Sequence, residues 1–389
     1  MAAVPVFFFA NDAQARITVS GLCEVRGTIE HAIIAASPEM LHLARRLPKQ
    51  LDNTMLSVRA CRQDSRSDFA QDITRLAKTR ERLQVLPIGN MPTRWCLEIE
   101  EKLSQEGIRV GFGDLDSHRR LDSKLEAQRL AVESGFEPVN QRPVPPQRSD
   151  LPFVVKPIDP EDVDAEFRRP ILVRTEEEFY DLERSGIDWT RMYAEEYLSG
   201  RSLYLCCYLE HGVIREAYVQ RNLWQAQAGG SVISAEIVDL SQPLFSLGEA
   251  FFSRTNWTGP AMIEVRECAG GIRFIECNPR FWGPIDLGSR NGYVYFRRQI
   301  GVQSSSRAPR NSYRYFNISL ASNAVAFRLI RGQRYTLLAR DWRMWMTGSR
   351  DPLVRWGFVR LFLLTLIKPI RRKVTLSVQR LGRMPKETH

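Results

Sequence analysis

Histidine is scarce, 5 among 389 residues, and the 7 cysteines are scattered at positions 23, 61, 96, 206, 207, 268 and 277. No C-x-x-C pair occurs. A thiolate zinc site and a histidine-based metal centre are therefore not expected, and isolated thiols suit a reducing compartment. No G-x-G-x-x-G run is present, which removes the usual dinucleotide fingerprint. The opening M-A-A-V-P-V-F-F-F-A-N-D has no basic n-region and too short an apolar run for a signal peptide, so it reads as a first buried strand. Acidic residues are nearly missing from the other end. From Arg297 onward 20 Lys and Arg face 3 Asp and Glu, leaving 35 against 42 in the rest. The net charge of +10 thus belongs to the tail and says nothing about the body.

At this length two or three units are expected. Residues 1–115 alternate strand-like and helix-like patterns. Val4–Ala10, Gln84–Ile88 and Ile108–Phe112 read as strands; Leu41–Leu47 and Thr93–Glu106 read as helices, as does a segment capped by Ser67-Asp68 with Phe69, Ile73 and Leu76 on one face. Such units suggest a parallel sheet. Asp122-Ser123-Lys124 opens a helix with Leu125, Leu130 and Val132 as its apolar positions, and Arg142–Pro152 reads as a linker. Phe153–Pro157 and Ile171–Val173 are strands, and Thr175 caps a helix over Glu176–Glu183. Arg191–Tyr197 is a strand, and Ser202–Leu209 with Val213–Gln220 forms a hairpin around His211-Gly212. Gln242–Arg254 is a helix with Leu244, Leu247 and Phe251 as its core stripe.

The most informative stretch is A-M-I-E-V-R-E-C-A-G-G-I-R-F-I-E-C-N-P-R-F-W-G-P-I, Ala261–Ile285. Two alternating runs flank Ala269-Gly270-Gly271, as a three-residue hairpin loop requires. Folding at Gly270 sets Glu264 opposite Glu276 and Met262 opposite Asn278 on one face. Ile263 then opposes Cys277, Val265 opposes Ile275 and Glu267 opposes Arg273 on the other. Like charges directly opposite destabilise a sheet. Either Arg266 and Arg280 neutralise the pair, or it shares a proton or holds a cation. Carboxylate and amide oxygens are hard ligands that suit Mg²⁺ or Mn²⁺, and magnesium completes its shell with phosphate oxygens and water. A nucleotide is implied on that second reading.

I-E-V-R-E followed by F-I-E-C-N-P-R-F-W-G-P resembles the metal-binding hairpin of the ATP-grasp superfamily, in its carbamoyl-phosphate-synthase-like and biotin-carboxylase-like branch, whose signature is E-x-N-P-R. The resemblance covers roughly residues 85–295. It implies an α/β chain of ATP-grasp type: a Rossmann-like pre-ATP-grasp domain over 1–115, a lysine-bearing subdomain over 116–191 and a metal-binding subdomain over 192–300; residues 301–389 match no part of it and read as a basic, partly amphipathic, helical tail. It also implies ATP and Mg²⁺ (or Mn²⁺), with Glu264, Glu276 and Asn278 as metal ligands. Lys124, in D-S-K-L-E-A-Q-R-L-A-V-E-S-G-F-E-P-V, and Lys156, before Pro157, correspond to the two ATP lysines. R-M-Y-A-E-E-Y resembles the adenine hinge, with Glu195 and Glu196 at the adenine edge and Tyr197 and Leu198 near the base. Arg221, ahead of Gly229-Gly230-Ser231, becomes a phosphate or substrate-anion clamp, and Arg280 faces the acyl-phosphate or the substrate carboxylate. The activity implied is amide formation from a small-molecule carboxylate and an amine through an acyl-phosphate.

Two departures stand out. Where the family carries a Gly-rich loop after Lys-Pro, this chain has the acidic, glycine-free I-D-P-E-D-V-D-A-E-F-R-R-P. Arg201-Ser202 stand where a ribose-binding acid is usual. These favour a second reading, a degenerate nucleotide-binding scaffold or regulator at a membrane surface. In the tail, L-V-R-W-G-F-V-R-L-F-L-L-T-L-I-K-P-I is broken by Arg355 and Arg360 and is short for a membrane span, with Trp342, Trp345 and Trp356 among arginines. It reads either as an amphipathic helix lying on an anionic membrane or as a helix packed on the body or a partner. Its Leu/Phe run argues against nucleic acid as the partner. The expected location is cytoplasmic, with peripheral attachment to the inner face of the membrane on the first of these tail readings.

Overall fold

The computed structural model describes residues 3–76, 82–164, 166–226, 231–302, 313–317 and 320–321. The tail stretch 351–370, Trp342, Trp345, Trp356, Gly229 and Gly230 lie outside the described residues. Among those described, no helix is long and apolar enough to cross a membrane.

The first unit alternates strands and helices: β1 (Val4–Phe9), α1 (Asp12–Val25), β2 (His31–Ala36), α2 (Leu41–Ala44), β3 (Gln50–Leu51), β4 (Thr54–Ala60), α3 (Arg66–Leu76), β5 (Leu83–Leu86), α4 (Asn90–Glu98), α5 (Glu100–Gln105) and β6 (Ile108–Arg109). The sheet order is β3-β4-β2-β1-β5-β6, parallel except at the β3 edge. Its middle strands are continuous apolar runs because helices cover both faces. The order reverses between β1 and β5, so the ends of these two strands open a crevice. Three expectations need correction here. The stretch Thr93–Glu106 is broken into two helices at Ile99. The cap of α3 is Ser65, whose hydroxyl accepts the Asp68 N–H at 3.2 Å, not Ser67-Asp68. The strand expected over Ile108–Phe112 pairs only through Ile108 and Arg109.

Next come α6 (Leu115–Asp122) and α7 (Lys124–Glu133), then β7 (Gln141–Arg142), β8 (Phe153–Pro157), β9 (Ile171–Val173), α8 (Glu176–Glu183) and β10 (Met192–Glu196). Ser123 caps α7 by accepting from the Glu126 N–H, which fixes Lys124 at the first helical position. The buried stripe of α7 is Ala127, Leu130 and Ala131; Leu125 and Val132 are exposed, contrary to the pattern read from the sequence. Strands β7-β10-β8-β9 form a small sheet with its own core of Phe153, Val155, Phe179, Leu182, Met192 and Ala194. The strand alternation therefore turns Lys156, Tyr193 and Glu195 to the opposite face.

The third unit holds β11 (Arg201–Glu210), β12 (Val213–Gln225), β13 (Val232–Val238), α9 (Gln242–Phe252), β14 (Gly259–Cys268), β15 (Gly271–Asn278), α10 (Ile285–Arg290), α11 (Tyr295–Gln299) and β16 (Arg314–Phe316). Its sheet order is β15-β14-β11-β12-β13-β16, antiparallel throughout. The turn at His211 and Gly212 has φ of 50° and 77°, the paired left-handed conformation that suits a two-residue hairpin. This sheet and the first unit share one continuous hydrophobic core, whereas the small sheet stands on a separate one.

Candidate active site

The β14–β15 hairpin brings Glu264 opposite Glu276, Met262 opposite Asn278 and Ile263 opposite Cys277. It does so by a different route from the one expected. Cys268 pairs with Gly271, so the turn holds two residues rather than three. Counting outward from that tighter turn would put Glu264 out of step. A bulge between Glu264 and Val265 inserts Ile275 and restores the pairing. On the turn side of the bulge Val265 opposes Phe274, Arg266 opposes Arg273 and Glu267 opposes Ile272. The expected Glu267–Arg273 ion pair does not form; Glu267 joins Arg201, and Arg273 joins Glu196. Bulges recur beside active sites because they re-aim a side chain.

Glu264 is 5% exposed, with the Arg266 guanidinium 3.4 Å away, and it faces Tyr204 on β11. Burial, and then the neighbouring Glu276 carboxylate, push its pKa up to about 7. Asn278 donates to Glu276 Oε1 at 2.9 Å and accepts from the Arg280 guanidinium. The segment that follows is clamped by aromatic packing. Phe281 stacks on Phe296 at 4.3 Å, and Trp282 donates to the Tyr218 hydroxyl at 3.3 Å. Arg280 is thereby held at the lip of the hairpin.

Both lysines reach this cluster from other elements. Lys156 on β8 is 5% exposed and makes an ion pair with Glu195 of β10, which is 2% exposed and also accepts from Gln128 at 2.9 Å. The charges of Lys156 and Glu264 act on each other across the cleft between the two sheets. Lys124 feels both Glu276 and Lys156, and burial lowers its pKa. The Tyr193 hydroxyl is buried beside Glu195 and Glu276 with no partner among the described residues, and burial raises its pKa.

Of the other expected site residues, Glu195 is ion-paired with Lys156 within this cluster. Glu196 accepts from the Asn140 N–H at 3.1 Å and pairs with Arg273, while Tyr197 is exposed and Leu198 half-buried. Arg221 does not join the acid pair. It lies opposite Leu203, on the sheet face that Tyr204 and Glu264 turn away from, and binds Glu236, which also holds Arg314 at 2.8 Å. The acidic loop after Pro157 folds through turns at Asp159–Asp162 and Asp164–Phe167. Its Glu161 reaches Arg94 on α4 at 3.4 Å, so one acid of the loop is neutralised by the first unit.

No protein-family model and no curated protein sequence matches the chain. Solved structures do. Biotin carboxylase from Campylobacter jejuni, solved as a complex with β,γ-ATP, superposes with a TM-score of 0.56 at 12% identity, over 80% of this chain and 74% of that one. L-amino acid ligase from Bacillus licheniformis gives 0.55 at 11% identity, over 79% and 76%. An ATP-grasp superfamily protein from Archaeoglobus fulgidus gives 0.51 at 13% identity, over 80% and 91%. The chain has the ATP-grasp fold. It spans 30% of the length of pyruvate carboxylase from Rhizobium etli, which it also resembles.

The cleft between the small and large sheets holds the two lysines, the opposed acids and the tyrosine whose hydroxyl has no partner among the described residues. Two carboxylates and an amide are a donor set for a hard divalent ion that takes its remaining oxygens from phosphates. Among the described residues no group of three or more His, Cys, Asp and Glu is placed to hold a metal ion. The raised Glu264 pKa and the orphaned Tyr193 hydroxyl both mark polar groups that a bound, charged ligand would satisfy. Sequence reasoning missed Tyr193 and Tyr204, which strand alternation from Glu195 and the β11–β14 register would place here. It also did not mark Arg16 of α1 as lining the cavity beside the acid pair.

Proposed function

We propose that the chain is an ATP- and Mg²⁺-dependent carboxylate–amine ligase acting through an acyl-phosphate. The observation that carries this reading is the opposition of Glu264 and Glu276 within reach of Lys124 and Lys156. Lys124 and Lys156 would draw the triphosphate into the cleft, and Lys156 would exchange Glu195 for phosphate oxygens. Glu264, Glu276 and Asn278 would hold the divalent ion, which supplies charge neutralisation at the γ-phosphate. Arg280 would bind the substrate carboxylate and then the oxyanion that develops as an amine attacks the acyl-phosphate. The carboxylate oxygen takes the γ-phosphoryl group and ADP leaves; the amine then displaces phosphate and forms the amide. No side-chain nucleophile is needed, so positioning and electrostatic stabilisation carry the rate.

The alternative of a nucleotide-binding scaffold without turnover draws on the glycine-free loop, yet both lysines, both acids and the asparagine are in place. Phosphate release on mixing the full chain with Mg-ATP and a pool of amino acids separates the two. Release that depends on an added carboxylate and amine supports the ligase. Tight nucleotide binding with no release under any mixture supports the scaffold. Attachment of the tail to an anionic membrane is a further proposal, tested by sedimentation with anionic liposomes before and after removal of residues 340–389.

A further inference from the structure

A cavity of about 270 Å³ lies at the seam between the first and third units. Arg109, at the end of β6, and Gly111 contribute from the first unit. The third unit contributes Glu210 and His211 from the β11–β12 hairpin and Arg298 and Gln299 from α11. The cavity beside the acid pair shares none of these lining residues. Tyr208, also in the wall, is four residues along β11 from Tyr204, or roughly 13 Å at the rise of a strand. This space is therefore separate from the opposed glutamates.

The two most buried side chains lining it are Tyr208 and Gln299, 4% and 3% exposed. Tyr208 is held by stacking on Tyr295, with ring centroids 6.5 Å apart. Burial pushes its pKa up to about 12, so the hydroxyl keeps its proton and can donate. Gln299 gives its amide N–H to the Gly111 carbonyl at 2.6 Å, and its Oε1 is buried with no partner among the described residues. A buried amide oxygen of this kind calls for a donor. The charges around the cavity do not cancel. Arg298 pairs with Glu216 at 2.9 Å through Nε, and Glu210 pairs with Arg215 at 2.8 Å. Arg109 is exposed and makes no hydrogen bond or ion pair among the described residues. The charges of Arg298 and Arg109 both act on the Tyr208 phenol, so donors from β6, β11 and α11 converge on one space.

Donors arriving from three separate elements suit the three outward oxygens of a phosphoryl group better than the planar pair of a carboxylate. A phosphate monoester also brings about −1.5 to −2 of charge at pH 7 to the uncompensated Arg109. Gln299 Oε1, the acceptor left over, asks for a hydroxyl on the same ligand. We propose that this seam binds a small phosphate monoester with free hydroxyls, a sugar phosphate by class, with Arg109, Arg298 and Tyr208 on the phosphate and Gln299 on a hydroxyl. The site does not depend on the ligase reading. Its ligand would bridge a cation of the first unit and one of the third.

The test is calorimetric titration of the full chain with glucose 6-phosphate, glucose and orthophosphate, alone and with a saturating non-hydrolysable Mg-ATP analogue. Wild type is expected to bind glucose 6-phosphate saturably, with or without the analogue, and glucose and orthophosphate roughly tenfold more weakly or worse. Arg109→Ala should lose roughly tenfold or more for glucose 6-phosphate, and Arg109→Lys should recover part of that loss. Tyr208→Phe keeps the ring stack and removes one donor, for a loss of roughly three- to tenfold. Circular dichroism of each variant should match wild type, which guards against misfolding. Absence of saturable glucose 6-phosphate binding, or binding that Arg109→Ala and Tyr208→Phe leave unchanged, would overturn the site. Glucose 6-phosphate that the analogue expels and that is indifferent to Arg109 sits at the lysines instead, which also overturns it. Orthophosphate binding as tightly as the ester would overturn the ester assignment. Glucose 6-phosphate binding that follows Arg109 while the analogue fails to bind would support the site and overturn the ATP reading.

Discussion

Lys156 and Glu195 form an ion pair sealed between the small and large sheets, each at most 5% exposed. The register that opposes Lys156 to Tyr193 and Val154 to Glu195 puts the lysine and the acid on one face, diagonal neighbours. On the proposed reading, a nucleotide would have to displace this internal carboxylate to reach Lys156.

Glu195→Gln leaves the ammonium buried without its countercharge. Breaking such a pair costs about 3–5 kcal/mol, so the unliganded variant should melt well below wild type. Mg-ATP then supplies the missing charge, and the variant should gain more in melting temperature on adding it than wild type does. If Glu195 instead reads the adenine edge, the gain should shrink. Thermal melts with and without Mg-ATP decide this.

Arg221→Ala should leave Mg-ATP binding within about twofold of wild type, because Arg221 occupies the sheet face away from the acid pair. Its loss removes one of two guanidinium partners of Glu236, at a cost of about 1 kcal/mol or less in a denaturant titration. A large loss of nucleotide affinity would restore the clamp role expected from the sequence.

Two buried groups set opposite pH dependences. Glu24 accepts from the Ser289 hydroxyl at 2.6 Å and from the Arg297 N–H at 3.0 Å, tying α1 to α10 and α11, and burial lifts its pKa from 4.5 to about 7. The folded chain holds the extra proton, so stability falls as pH rises from about 4.5 through 7. Glu24→Gln should match wild type at pH 4 and exceed it by as much as ~3 kcal/mol at pH 8. His118 has no partner among the described residues at either ring nitrogen, and burial lowers its pKa from 6.5 to about 4. Here the unfolded chain takes the proton, so stability is lost as pH falls from 6.5 to 4. His118→Leu should remove that loss and be neutral or stabilising at pH 8. Chemical denaturation across pH 4–8 reads both slopes.

The opposed glutamates were legible because antiparallel pairing follows from alternation and an approximate turn. The pairing survived a wrong turn length only because the Ile275 bulge compensates it, and no one-dimensional pattern marks a bulge there. The stripe of α7 was misread because Leu125 and Val132 are apolar yet exposed, while two alanines do the packing. Helix α1 offered no stripe at all: it is buried on nearly every residue from Gln14 onward, so Arg16 looks no different from a surface arginine. Its place in a cavity shared with the third unit depends on contact between units far apart in sequence, which local periodicity does not carry. The placement of Arg221 was obscured similarly; Glu236, which captures it, is 15 residues away on the next strand.

The most direct test of the account is calorimetric titration of ATP into wild type and Glu276→Ala, each with and without Mg²⁺. Wild type should bind ATP far more tightly with Mg²⁺ than without, and the alanine variant should lose that difference while remaining folded by circular dichroism. Equal Mg²⁺ enhancement in both proteins would contradict the opposed acids as the seat of the metal–nucleotide site, and with it the ligase.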